Sequence, residues 1–223
     1  MKTTQPKLLL SYLLGLSLMG VLAWLVSLLS GYIPMYWLPK LIPSLVLMII
    51  AIICHKKAKG HALGYLFSYY LNAVGSGAII GVVLAECNIS PSLNLAFALL
   101  PAAGIGILVS VLLMIFKKAD GICAAFTVLA LLMIILAIAI WAGRSALTGS
   151  ILLFSGLFFL PLPFCLQKAV EKPEREFRYL SFSGFGAFAI IAFVAMVILS
   201  EGEILEGAFD GLDFGGGKGN KKK

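Results

Sequence analysis

An all-α, polytopic transmembrane helix bundle is the fold class this sequence predicts, and three observations carry the expectation. Of 223 residues, 61% are hydrophobic and only 12% charged, with a mean hydropathy of +1.05. A soluble domain carries about a quarter charged residues, so a water-soluble globule is excluded. The apolar residues gather into seven long runs, and about 20 apolar residues are what a helix needs to cross a hydrocarbon core roughly 30 Å thick. The charges fall between the runs, as they do in multi-pass proteins. The net charge of +7 would suggest nucleic acid in a soluble chain. Here the bases sit at run ends, where they meet lipid headgroups, so the bilayer is the expected partner and nucleic acid is not.

The first span is read at 8–30. At 23 residues it exceeds the roughly 7–15 apolar residues of a secretory signal core, and it has no A-x-A-like end, so it is expected to be retained. The loop GYIPMYWLPK follows, with Tyr32, Tyr36 and Trp37 suited to a headgroup belt. The second span, 37–54, opens with Pro39 and Pro43, both read as first-turn prolines. The segment 55–61, HKKAKGH, is read as a basic loop. The third span covers 62–85 and ends at Glu86.

Spans four and five are read at 93–116, with Pro101 in its first half, and 121–142. The sixth, 149–166, has 18 residues, about 27 Å of helix, and contains Pro161 and Pro163, which remove backbone donors and break helix geometry. That pair is the candidate hinge, and it makes the sixth run the one most open to a re-entrant path, giving six spans instead of seven. The last span is 179–199. Residues 1–199 form the membrane domain. The tail 200–223 is rich in Gly and Lys and has too little apolar mass to fold alone.

Lysine and arginine placement sets the direction. With the N-terminus cytoplasmic, the inner segments hold eleven bases (Lys2, Lys7, Lys56, Lys57, Lys59, Lys117, Lys118, Lys168, Lys172, Arg175 and Arg178) against Lys40 and Arg144 outside. Excess base marks the cytoplasmic side. Seven spans then place the C-terminus outside, with the tail's four lysines discordant. A plasma membrane of bacterial type is the expected location.

The third span carries the most information. On a helix, Ser68, Asn72 and Ser76 share one face at i, i+4, i+8, a candidate polar path at mid-membrane depth. Ala73, Gly77 and Gly81 repeat on the adjoining face, and Ala102, Gly106 and Ser110 form a second such row in span four. Rows of small residues let helix backbones approach closely.

No Asp, Glu, Lys, Arg or His lies in the middle third of any expected span. Proton-coupled carriers use intramembrane charge, so that class is disfavoured. The four cysteines show no metal spacing, the only histidines, His55 and His61, carry no HExxH pattern, and GGGKG in the tail fails the phosphate-loop pattern. No catalytic residue, metal ligand or cofactor site is therefore expected, and no enzyme. Two functions of different class remain as expectations. One is an accessory or scaffold subunit that packs against other membrane proteins through its small-residue rows. The other is a small-solute permease or channel along the Ser68–Asn72–Ser76 face; the substrate is not readable.

Overall fold

A computed structural model describes residues 5–30, 32–33, 35–89, 127–128, 130–138, 140 and 146–200, and among these all regular structure is helical. The helices are α1 (Gln5–Ser30), α2 (Trp37–Lys57), α3 (Ala62–Glu86), α4 (Ala146–Phe159), α5 (Leu162–Glu171) and α6 (Glu176–Leu199), with a 3-10 turn at Pro173–Arg175 before α6. Residues 130–138 are also helical.

Among the described residues four helices are long and apolar enough to cross a bilayer: Leu10–Ser30, Trp37–Lys57, Ala62–Glu86 and Glu176–Leu199. They correspond to the first, second, third and seventh expected spans. The fourth expected span, with Ala102, Gly106 and Ser110, lies outside the described residues, as do part of the fifth and the tail from 201 onward. The sixth run is divided. A turn at Leu160 and Pro161 separates α4, of 14 residues, from α5, of 10, because proline cannot donate to the ladder and its ring crowds the preceding turn. Neither piece alone reaches spanning length.

Two boundaries move in ways that matter. The second helix runs a turn past the expected 54, taking His55, Lys56 and Lys57 into its last turn, where positive charge is favoured by the helix dipole. The last helix begins at Glu176, ahead of the expected 179. Pro43 also lies beyond the first turn of α2, where its missing donor costs a helical bond.

The centre is α3. Helices α1, α2 and α6 all pack on it, and it is far more enclosed than the other three spanning helices. Contact pairs give the directions. Along α1, Met19 meets Gly77 and Ala23 meets Gly81, so the two helices run parallel. Along α6, Ser181 meets Ser68 and Phe188 meets Gly75, again parallel. Along α2, Ser44 meets Gly75, Ala51 meets Ser68 and His55 meets Tyr65, one number rising as the other falls, so α2 is antiparallel.

Close approach explains the glycines of α3. A Cβ on Gly81 would lie 2.6 Å from the Ala23 carbonyl oxygen, and one on Gly77 would strike the Met19 carbonyl. The faces turned outward carry large apolar side chains, among them Leu10, Leu14 and Leu29 on α1 and Ile42, Ile49 and Ile53 on α2. In water that surface would aggregate; against lipid tails it is at rest.

Candidate functional site

The polar residues of α3 are buried inside the molecule. Ser68, Asn72 and Ser76 are each 0% exposed; Ser68 meets α2 and α6, and Asn72 lies against Gly184 of α6. Their chemistry divides them into two groups along the helix.

Ser68 belongs to a closed hydrogen-bonded chain at one end. Its Oγ donates to the Ala51 carbonyl at 2.9 Å, Ser181 Oγ donates to Ser68 Oγ at 2.9 Å, and His55 Nδ1 lies 2.9 Å from Ser181 Oγ. Proton accounting fixes the imidazole. A serine has one proton to give; Ser68 spends its own on a carbonyl that can only accept, so Ser181 must donate to Ser68. His55 Nδ1 therefore carries hydrogen and donates to Ser181. A general base would need a lone pair there, so this arrangement does not activate Ser181 as a nucleophile. The ring is seated among Tyr65, Phe182 and Phe185, with centroid separations of 5.0, 4.6 and 5.6 Å, and Arg178 lies over the Phe182 ring.

Neither His55 nor Ser181 is among the residues singled out from sequence. His55 reads as a loop residue beside lysines, and Ser181 as one of several small residues opening the last span. A signal was present in α2: positions 41, 44, 48, 51, 55 and 58 recur at alternating spacings of three and four, a single helical stripe. In the structure Leu41, Ser44, Ala51 and Ala58 are buried, and Met48 and His55 are half-buried between them.

The second group lies towards the other end of α3. Asn72 Nδ2 donates to the Ser68 carbonyl at 3.0 Å, which uses one of the amide's two N–H groups locally. Asn72 Oδ1, Ser76 Oγ and Ser44 Oγ are buried with no hydrogen-bond partner; among the described residues Ser155 Oγ on α4 shares that condition. The Ser44 carbonyl lies against Gly75, so Ser44 stands within one residue of Ser76 in height along α3. Asn72 is one turn away, about 6 Å along the axis.

The two tyrosines that flank this face are otherwise engaged. Tyr69 OH donates to the Tyr12 carbonyl, and Tyr65 OH accepts from Gly60 N–H, so neither hydroxyl is left facing the polar stripe. At the far end of α3, Glu86 accepts a 2.6 Å ion pair from Lys40, which also donates to the Ser30 carbonyl. One lysine thus ties the ends of α1, α2 and α3.

The small-residue row is used internally: Gly77 and Gly81 face α1, and Ala73 is buried. Pro161 starts α5 at the helix break and lies against Gly186 of α6; Pro163 falls in the first turn of α5. Among the described residues no group of His, Cys, Asp and Glu has the geometry to hold a metal ion.

These features are compatible with a helical integral membrane protein that has polar groups sealed inside it. Comparison with family models, curated proteins and solved structures finds no match to the chain.

Proposed function

We propose that this chain is a multi-pass plasma-membrane protein whose α2–α3–α6 interface is the path of a small polar solute, a permease or channel rather than an enzyme. The observation that carries the reading is the set of three buried, unpartnered polar atoms at Ser44, Asn72 and Ser76. An unpaired buried polar group costs about 1–3 kcal/mol, and three within two turns of one level of the bundle are retained at a cost that a bound solute or water would offset.

The threading we propose is seven spans, N-terminus inside and C-terminus outside. The parallel run of α3 and α6 supports it, because two parallel spans require an odd number of crossings between them. The eleven-to-two distribution of bases supports the direction. Pro161 and Pro163 would supply the hinge that lets α4 and α5 move against α6. The accessory-subunit reading, with other membrane proteins as partners, comes second. It draws on the small-residue rows, and the row on α3 is already filled by α1.

The test is solute flux into vesicles reconstituted with the purified protein. Asn72→Leu should abolish flux while the variant elutes from size exclusion as wild type does. Undiminished flux in that variant would remove the main support for the path.

A further inference from the structure

We propose, resting on the solute-path reading, that the Ser44–Asn72–Ser76 site takes a small uncharged solute carrying both hydrogen-bond donors and acceptors, of the polyol or amide class, and excludes ions.

Four serines in or at the end of the described helices provide a comparison. Ser11, Ser27, Ser183 and Ser200 each turn Oγ back to a carbonyl three or four residues earlier, at 2.8, 2.8, 2.7 and 3.3 Å. This is the ordinary way a serine satisfies itself in a helix. Ser44 and Ser76 do not take it, though they are 1% and 0% exposed and so are cut off from bulk solvent. Their hydroxyls are held for something that enters the interior.

The chemistry of the three groups selects the class. Asn72 Oδ1 is an acceptor, as any amide oxygen is, and it asks for an O–H or N–H. The two hydroxyls each give one proton and accept on oxygen, so they ask for a group that does both. A hydroxyl- or amide-bearing molecule answers all three. An ion does not: the charged side chains of α2, α3 and α6 lie in their end turns, at Lys40, Lys56, Lys57, Glu86, Glu176 and Arg178. Three neutral dipoles are too few to replace an ion's hydration, which pores accomplish with rings of carbonyls or charges.

The experiment uses the full chain in proteoliposomes, with glycerol and urea as neutral probes followed by light scattering, and K+ and Cl− followed by ion-sensitive dyes. Glycerol or urea should permeate faster than in protein-free vesicles, with K+ and Cl− unchanged. The double variant Ser44→Ala/Ser76→Ala should slow the neutral probe by about tenfold for each hydrogen bond lost. Ion flux without neutral flux overturns the solute class and leaves the path standing. Neither flux overturns both. Neutral flux that the double variant leaves intact overturns the site. A double variant that fails to fold shows that the hydroxyls are bonded within the protein, and overturns the proposal on that ground.

Discussion

Replacing Ser76 with alanine should make the protein more stable. Ser76 Oγ is fully buried and has no partner, so the folded state bears the desolvation of one hydroxyl, about 1–3 kcal/mol. Alanine keeps Cβ and deletes a single oxygen, which forfeits a few contacts at about 0.1–0.2 kcal/mol each. It also gains slightly in helix propensity, by at most about 0.5 kcal/mol. The balance favours the variant by about 1 kcal/mol. Ser68→Ala, two turns away on the same face, should behave oppositely. It removes the bond to Ala51 and strands the proton of Ser181, and hydrogen bonds between membrane helices average about 0.6 kcal/mol with a maximum near 1.7. Reversible unfolding in mixed micelles, titrated with a denaturing detergent, reads both signs. If Ser76→Ala proves destabilising by as much as Ser68→Ala, the hydroxyl has a partner inside the protein. The division of α3 into a bonded and an unbonded group then collapses.

Three further outcomes follow from the same geometry. Gly81→Val should abolish the α1–α3 contact, since even its Cβ would press on the Ala23 carbonyl; overpacking of this kind costs about 1–3 kcal/mol, read as a lowered unfolding midpoint, and an unchanged midpoint would contradict the packing. His55→Asn, whose amide nitrogen takes the place of Nδ1, should keep more stability than His55→Ala, which leaves Ser181 Oγ without its donor; equal loss in the two variants would refute the assigned proton. Cys87, exposed just beyond α3, has its thiol pushed up by burial and then by the Glu86 carboxylate beside it. Labelling by an impermeant maleimide in intact cells should therefore speed up towards alkaline pH, as the thiolate forms, and Glu86→Gln should accelerate it. No labelling at any pH would place that end of α3 inside.

The sequence makes α3 conspicuous because an asparagine and two serines at fourfold spacing stand out in an apolar run, and because glycines at the same spacing have few uses in a membrane helix other than close packing. The rest of the seam is hidden for physical reasons. His55 is masked by the lysines after it, since charge near a helix end reads as loop when the last turn is free to carry it. Ser181 gains its meaning only from contact with Ser68, more than a hundred positions away in the chain, and no local pattern encodes such a pairing. Tyr65 and Tyr69 illustrate the reverse difficulty: they flank the polar stripe in sequence, but their hydroxyls bond to backbone groups. Pro161 and Pro163 announce a break from chemistry alone, and the helix ends there.

The parallel seating of α6 beside α3 has a consequence for biogenesis. While the ribosome is still working, α1, α2 and α3 emerge together and can settle against one another at once, with Ser68 already bonded to the Ala51 carbonyl. The flank of α3 that later receives Ser181 and Phe188 must wait about ninety residues for its cover. A nascent intermediate with an amide half-open to lipid invites recognition by insertion factors or proteases, so chains truncated before residue 176 should be short-lived even though their first three helices are intact.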